Sequence, residues 1–406
     1  MASRLPIGSD SRKTSSEPPG RLAFVTSTPL SVAGGSGTYV GISQLARSLD
    51  ALQVCVETYA PTFRCPSVTL KRLLFNLGVA RRLRRSPCDW VVGFDLDGFH
   101  YGRAPQAPYV ASLKGVIADE MQNERGLVRL LLGIQAGWER LAVRRAAVVV
   151  ATSRYSCGRI VEAYGISAAK VVIVPELIDL RAWGFGWDEP AAGAAEPPAV
   201  LTVAHMYPRK NLELLLHAYA RLAEAGVPFQ GWVVGEGPCR RAWERLRNRL
   251  SLANRVQFLG TIPRQELLDR YRRAAVFCLP SRQEGFGIVF LEAMACGKPI
   301  VAAHAAAVPE TVTDGKVGIL VDPNDPDDLA RALARLLGDA GLRQGMGAAG
   351  RRRVEQYRAD RVAAMFLATV GEALLRSAGT RPASPAGGER TRALEGVGAP
   401  ATGGAR

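Results

Sequence analysis

The chain has 406 residues, of which 48% are hydrophobic and 22% are charged, and it carries a formal net charge of +15. This length and apolar content predict two domains, each with its own hydrophobic core. The seven cysteines include no CxxC pair, so neither a zinc site nor a disulfide framework is expected, and reduced thiols favour a cytoplasmic protein.

The termini contain no predicted targeting segment, and no later segment reaches the roughly 18 uninterrupted apolar residues of a membrane span. Residues 1–19 and 378–406 lack hydrophobic periodicity and are predicted to be disordered tails. The positive charge is compatible with nucleic acid or with an anionic membrane surface. Because the arginines are dispersed and no RNA motif or metal finger occurs, nucleic acid is not an expected partner.

Short aliphatic runs alternate with helical patterns along the chain. Six of them fall in residues 20–185: RLAFVTST, VCVETYA, WVVGFD, YVASLKG, AVVVATS and VVIVP. Six more fall in residues 199–358: AVLTVAH, GWVVGEG, VQFLG, VFCLPS, PIVAA and VGILV. Continuous hydrophobicity predicts parallel strands that are buried on both faces of a sheet.

A linker rich in Pro, Gly and Ala, residues 186–198, separates the two series. The sequence therefore predicts an α/β protein with two doubly wound, Rossmann-like domains that face a cleft. In such sheets, ligands bind beyond the carboxyl ends of the strands. The last periodic segment, residues 359–377, is predicted to be a helix that packs back on the N-terminal domain.

The first glycine-rich loop follows the first predicted strand, with glycines at positions 34, 35 and 37. It matches neither GxGxxG nor a Walker loop. Contact with a phosphate or sugar and a simple tight turn are both compatible with it.

The most basic stretch is LKRLLFNLGVARRLRRS, residues 70–86, in which leucines recur near helical spacing. Either it is a surface helix with a solvated basic face, or it makes peripheral contact with an anionic membrane on the inner face. Its basic residues are Lys71, Arg72, Arg81, Arg82, Arg84 and Arg85.

The segment VAHMYPRKN leaves a strand at His205 and enters a helix through Arg209 and Lys210. A lysine at a helix start adds its charge to the positive end of the helix, so Lys210 is expected to meet an anionic group. The alternative is a solvated surface cation.

The segment SRQEGFGIVFLEAMACG predicts a loop that feeds a very apolar helix, in which Glu292 is the only carboxylate. Compensation of the helix dipole contributes about 0.3–1 kcal/mol, less than the cost of burying a carboxylate. A hydroxyl-rich ligand such as ribose would satisfy both oxygens of Glu292. Gly285 and Gly287 leave room for such a ligand, with Glu284 at the mouth of the loop.

Together these motifs resemble those of the retaining glycosyltransferases of family 4, which have the GT-B fold. The likeness covers residues 199–366 and is carried by the Glu284/Glu292 pair, by RKN and by GEGP. In the N-terminal half it rests on GGSGTY, ATSRYS and VPELID.

The resemblance implies a sugar transferase that uses a nucleoside diphosphate sugar and needs no cofactor or metal. Its acceptor would be a glycan, a lipid-linked molecule or a small molecule. Glu292 would bind the ribose, Glu284 the donor sugar and Lys210 the diphosphate. The implied catalytic residues are Glu284, Lys210 and His205. The implied donor-binding residues are Gly35, Arg209, Lys210, Glu284, Gly285, Phe286, Gly287, Ile288, Val289 and Glu292.

This chain departs from the family pattern at two cations. His205 stands where many members have Arg, so either the second charge on the diphosphate depends on pH or Arg209 replaces it. Lys114 stands where relatives often have His near the reacting sugar. These departures leave open a sugar-nucleotide-binding protein without transferase activity, and an epimerase of the same fold.

The pair Asp95 and Asp97 follows a strand as a DxD motif, which holds a metal in another transferase architecture. No further ligand cluster supports a metal here, and metal-free chemistry is expected. These two aspartates are instead predicted to line the acceptor side of the cleft. The other predicted acceptor-side residues are Lys114, Asp119 and Glu120.

Overall fold

The computed structural model describes residues 20–28, 37–183 and 195–379. The predicted tail 1–19, residues 380–406 of the second predicted tail, Gly34, Gly35 and most of the predicted linker lie outside the described residues. Residues 378 and 379 of the second predicted tail are helical, because α13 extends to Gly379. The described residues form two parallel sheets with helices on their faces.

The N-terminal sheet has six parallel strands in the order β2-β1-β3-β4-β5-β6. Its strands are β1 (Arg21–Val25), β2 (Cys55–Tyr59), β3 (Trp90–Phe94), β4 (Tyr109–Ser112), β5 (Val148–Ala151) and β6 (Val171–Ile173). The helices between them are α1 (Gly37–Ala51), α2 (Val68–Leu83), α3 (Ile117–Glu120), α4 (Gly126–Arg145) and α5 (Arg154–Tyr164).

The C-terminal sheet also has six parallel strands, in the order β12-β11-β10-β7-β8-β9. Its strands are β7 (Ala199–Val203), β8 (Gln230–Val234), β9 (Val256–Gly260), β10 (Val276–Leu279), β11 (Ile300–Ala303) and β12 (Gly318–Val321). The helices are α6 (Leu212–Glu224), α7 (Arg240–Arg249), α8 (Arg264–Arg273), α9 (Ile288–Ala295), α10 (Val308–Thr311), α11 (Pro326–Gly338), α12 (Ala340–Val354) and α13 (Ala359–Gly379).

The predicted fold class is confirmed, and each predicted aliphatic run contains one strand. Strands such as β4, β5 and β10 are buried along their whole length, which explains why they read as continuous apolar runs. The strand order reverses between β1 and β3 in one sheet and between β7 and β10 in the other. These reversals are the places where open parallel sheets bind ligands.

The last helix, α13, packs against α1 and β5 of the N-terminal sheet. Its residues Val362, Phe366 and Val370 are buried in one cluster with Phe24 and Val92. By length and a mean hydropathy of 1.3, α13 is the one helix among the described residues that meets the criteria for a membrane span. Because its apolar face is part of a core, the amphipathic packing accounts for that composition.

Candidate active site

The carboxyl ends of both sheets meet along one cleft. A methyl group added to Gly37, the first residue of α1, would lie 3.1 Å from Ile288 at the start of α9. Two polar contacts also cross between the domains: Gln283 Nε2 donates to Asp119 Oδ2 at 3.0 Å, and Arg209 lies 3.4 Å from Glu120. The predicted acceptor-side residues Asp119 and Glu120 therefore lie at the contact between the domains. Asp119 is 5% exposed and also accepts from Tyr155 Oη at 2.8 Å and from Arg159 Nε at 2.7 Å, so protein donors occupy both of its oxygens.

Lys210 and Glu284 form a buried ion pair at the β7 and β10 strand ends, with 2.6 Å between Nζ and Oε1. Ser281 Oγ donates to the same oxygen at 2.8 Å, and Arg209 lies 3.7 Å from Oε2. Burial alone would raise the pKa of Glu284, but the Lys210 and Arg209 charges outweigh it and hold that pKa below its ordinary value. The resemblance assigns Lys210 to the diphosphate and Glu284 to the donor sugar, and the structure joins these two residues in one ion pair.

The backbone after β7 places Arg209 and Lys210 beside Glu284. Residues 208–210 form a short 3₁₀ turn that starts at Pro208, and Asn211 then adopts a left-handed conformation with φ of 57°. The Asn211 amide donates to the Pro323 carbonyl at 2.9 Å, which holds the turn in place. Asn tolerates this left-handed conformation better than most residues, and α6 begins directly after it.

His205 lies exposed at the end of β7, beside the ring of Tyr207. Partial desolvation, together with the Lys210 and Arg209 charges, lowers its pKa below the ordinary value of 6.5. His205 is therefore mainly uncharged at pH 7 in the protein without a bound anion. Of the two alternatives from the sequence, this favours Arg209 as the second cation.

The Gly285 carbonyl accepts hydrogen bonds from three hydroxyl groups of the N-terminal domain. Thr152, Ser153 and Ser156 donate to it at 3.1, 2.8 and 3.2 Å. These residues belong to the ATSRYS segment at the start of α5, so that segment connects the glycine loop to the other domain.

A second connection was not visible in the sequence. The Glu310 carboxylate accepts from the backbone N–H groups of Arg154 and Tyr155 at 2.9 and 2.8 Å. These amides belong to the first turn of α5, where a negative charge is favourable.

The remaining glycine of the loop, Gly287, has φ of 86° and starts α9. A methyl group here would lie 2.5 Å from the Phe290 ring, so no larger residue fits. Ile288 and Val289 are half-buried in the first turn of α9, whereas the Phe286 side chain is buried against Tyr357. Phe286 therefore presents only its backbone to the cleft.

Glu292 is buried, with 8% of its surface exposed, and its Oε2 accepts from Tyr271 Oη at 2.9 Å. Burial raises its pKa to about 7, against the opposing effects of the Tyr271 hydrogen bond and the Arg264 charge. Tyr271 lies on α8 and was missed by sequence reasoning. It is fully buried, and nothing in its local sequence distinguishes it from another core residue.

Lys114 forms a buried ion pair with Glu176, with 3.0 Å between Nζ and the carboxylate. Its backbone N–H donates to Asp95 Oδ1 at 2.9 Å, so Asp95 holds the loop after β4. A methyl group on Gly285 would lie 3.1 Å from the Lys114 carbonyl, which puts the pair next to the glycine loop. Glu176 lies in the VPELID segment and was not predicted as a site residue.

Asp97 does not line the acceptor side, which corrects the sequence-based prediction. It is 2% exposed, and its carboxylate accepts from Ser27 Oγ at 2.7 Å and from Asn76 Nδ2 at 2.8 Å. Both oxygens are occupied by these protein donors, so Asp97 stabilises the interior of the N-terminal domain.

Only some of the basic residues predicted for the α2 surface are exposed. Arg72 donates to Gln135 on α4 at 2.7 Å, and Lys71 is half-buried. Arg81, Arg82, Arg84 and Arg85 are exposed. Arg72 therefore belongs to the contact between α2 and α4.

Comparison with known proteins gives two family matches. The model described as "Glycosyl transferases group 1" matches residues 187–353, and "Glycosyltransferase Family 4" matches residues 37–182. A similar protein from Mycolicibacterium smegmatis is named GDP-mannose-dependent alpha-(1-6)-phosphatidylinositol monomannoside mannosyltransferase. It is 34% identical over 295 residues, which cover 67% of this chain and 74% of the relative.

A D-inositol 3-phosphate glycosyltransferase from Kribbella flavida is 36% identical over 225 residues, covering 52% of this chain and 53% of the relative. Among solved structures, sucrose-phosphate synthase from Thermosynechococcus elongatus superposes with a TM-score of 0.73 and 21% identity. That alignment covers 88% of this chain and 99% of the synthase.

Proposed function

Because this chain belongs to glycosyltransferase family 4, the group 1 glycosyltransferases, we propose that it transfers a hexose from a nucleoside diphosphate sugar with retention of anomeric configuration. GDP-mannose is the donor that we propose first, since the Mycolicibacterium relative is named as dependent on it. The acceptor proposed is a lipid-linked or inositol-containing molecule, by the names of the same relatives.

The observation that carries this proposal is the Lys210–Glu284 pair beside Arg209, at the strand ends that face the other domain. Negative charge grows on the diphosphate as it leaves the sugar. Fixed cations at that place stabilise the growing charge without reorganisation, which is the main contribution of such sites. Lys210 is proposed to provide most of this stabilisation, with Arg209 as the second cation.

Glu292 is proposed to accept hydrogen bonds from the nucleotide ribose, and Glu284 from the donor sugar. The backbone of Gly285, Phe286 and Gly287 would contact the sugar, and the first turn of α9 the phosphates. No side chain in the cleft is assigned as a nucleophile, so attack on the same face as departure is the proposed route. The hydrogen bonds to Gly285 and Glu310 that join the domains would exclude water during transfer.

The experiment is an assay of nucleoside diphosphate release from GDP-mannose, UDP-glucose and ADP-glucose, with and without inositol-containing acceptors, in buffer that contains EDTA. Release that depends on acceptor, with an α-linked product by NMR, would support the proposal. Binding without release would indicate a sugar-nucleotide-binding protein, and a new sugar nucleotide without acceptor would indicate an epimerase. Activity that requires manganese would contradict the metal-free mechanism. A peripheral position on the inner membrane face is part of the proposal.

A further inference from the structure

Exposed apolar side chains are concentrated on two helices of the N-terminal domain. Of the fourteen large apolar side chains that are exposed in the described part of the chain, ten lie on α2, on α4 or just before α2. They are Phe63, Val68, Leu70, Leu74, Leu77, Leu127, Val128, Leu130, Ile134 and Leu141. We call them the α2–α4 surface. Apolar patches of this kind mark binding sites in soluble proteins.

The two helices are joined through one polar residue, Gln135. Gln135 on α4 donates to Thr69 Oγ1 at 2.9 Å and accepts from Arg72 at 2.7 Å, and both partners are on α2. On α4 the residues Leu127, Leu130, Ile134 and Leu141 recur three, four and seven positions apart. They therefore share one helix face, which is turned away from the buried face that carries Glu139.

Basic residues border the α2–α4 surface, and the acidic residue beside it is Glu124, which precedes Arg125. Arg81, Arg82, Arg84 and Arg85 are exposed at the end of α2, and Arg125, Arg129 and Arg140 are exposed on or beside α4. The only acidic residue in the two helices is Glu139, and it is fully buried. An apolar face bordered by arginines complements an anionic bilayer, where the cations meet lipid phosphates and the leucines enter the acyl region.

We propose that the α2–α4 surface docks on an anionic phospholipid membrane and delivers a membrane-borne acceptor to the cleft. The acceptor part of this inference rests on the proposed function.

A depression in the surface of α4 includes a residue that adjoins the cleft. A shallow depression of about 540 Å³ is lined by Met121, Arg129, Leu130 and Ile134, with Gly126 and Gly133. Leu130 and Ile134 belong to the α2–α4 surface, whereas Met121 directly follows Glu120, the partner of Arg209 across the cleft. An acceptor with an apolar tail and a phosphate would thus meet apolar side chains, then Arg129, and then the cleft.

The test measures binding of the full chain to vesicles of phosphatidylcholine alone and of phosphatidylcholine mixed with phosphatidylglycerol. We expect binding to the mixed vesicles only, weakened by salt. The variant Leu130→Gln/Ile134→Gln should bind at least about tenfold more weakly. Leu375→Gln, at an exposed leucine on α13, is the matched control and should bind like the wild type. Melting temperature and GDP affinity report whether each variant is folded.

Equal binding of wild type and Leu130→Gln/Ile134→Gln, or no binding of the wild type to mixed vesicles, would overturn the proposal. A concentration-dependent dimer would also overturn the proposal if Leu130→Gln/Ile134→Gln abolished the dimer and left vesicle binding unchanged. The α2–α4 surface would then be an interface between two copies of the chain. Donor turnover is measured separately without vesicles, in the presence of a water-soluble inositol-containing acceptor. Vesicle binding without any turnover would reject the proposed function and keep the docking surface, and the reverse result would reject the surface alone.

Discussion

Lys210 pairs with Glu284 in the free protein, and it is also the residue proposed to bind the diphosphate. It is buried and neutralised by Glu284, so the two side chains hold each other in place before any donor binds. Replacement by alanine removes a charge-assisted hydrogen bond, a change of about 1.5–3 kcal/mol.

For Lys210→Ala we therefore expect kcat/KM with the sugar nucleotide to fall roughly 10- to 150-fold, together with GDP affinity. Steady-state kinetics and calorimetry measure the two quantities. Lys316→Ala, which alters an exposed lysine in the same domain, is the control. Unchanged affinity and rate in Lys210→Ala would refute its assignment to the diphosphate.

The proposed contact between Glu292 and the ribose predicts that nucleotide binding depends on pH. Its pKa of about 7 in the free protein lies above the ordinary 4.5, so between these values the folded protein holds a proton that the unfolded chain has lost. This group therefore makes the free energy of unfolding fall as pH rises, by up to about 1.4 kcal/mol per pH unit. Ribose hydroxyls donate better to the carboxylate than to the acid, so nucleotide binding should favour loss of that proton.

We expect GDP affinity to increase from pH 6 to pH 8 in the wild type and to be lower and much flatter in Glu292→Gln. The same variant should lose part of the decline in stability over that range. Titrations at several pH values and denaturant unfolding measure these effects, with the exposed Glu372→Gln as control. An identical pH profile in Glu292→Gln would exclude contact between Glu292 and the nucleotide.

By the resemblance to family 4, Lys114 stands where relatives often have His and Glu176 where they usually have Asn, and these two side chains form an ion pair. Removal of one member of a buried pair leaves the other charge unpaired, which costs about 3–5 kcal/mol. We expect Lys114→His and Glu176→Asn each to lower kcat/KM more than the double variant does. A double-mutant cycle on melting temperature and kcat/KM measures the coupling. Additive effects would show that the two replacements are independent.

At the scale of elements, the start of α5 is stabilised from the other domain by Glu310. Loss of such a cap costs about 0.5–2 kcal/mol. Glu310→Ala should therefore raise KM for the donor roughly 2- to 30-fold and speed hydrogen exchange at the amides of Arg154 and Tyr155. Glu162→Ala, at an exposed residue of the same helix, should change neither. Unchanged exchange in Glu310→Ala would mean that the domains are joined by other contacts.

The elements were predictable because each strand is a local pattern. A run such as VFCL is apolar on both faces wherever it occurs, so it is identified without knowledge of its neighbours. Lys210, Glu284 and Glu292 were singled out for the same reason, since an unusual charge in an apolar context is visible in the sequence. Their roles with the donor stay predictions.

Contacts made by distant elements were not predictable. Tyr271 reaches Glu292 from α8, and Glu310 reaches α5 from the other domain. Glu176 meets Lys114 across 62 positions of sequence. Asp97 was misassigned because a strand-end carboxylate faces either a cleft or the interior, and only the position of Asn76 decides which.

At the scale of the whole molecule, α13 follows the C-terminal domain in sequence and packs on the first domain. Phe366 is buried among residues of the N-terminal sheet. Truncation of a buried phenylalanine costs about 3–5 kcal/mol. We expect Phe366→Ala to destabilise the N-terminal domain first, with the C-terminal domain still folded and able to bind GDP.

Thermal unfolding with and without GDP measures this difference, and Leu375→Ala at an exposed site of α13 is the control. One cooperative transition, lowered equally with and without GDP, would show instead that the two domains unfold as a unit.

The packing of α13 on the first sheet also affects the order in which the two domains fold during synthesis. Domains emerge and fold from the N-terminus during synthesis. Here the earlier sheet is still missing the helix that covers Phe24 and Val92 when the later sheet is already complete. The half of the protein that is made first is therefore completed last, and its apolar strands stay uncovered until α13 has been made.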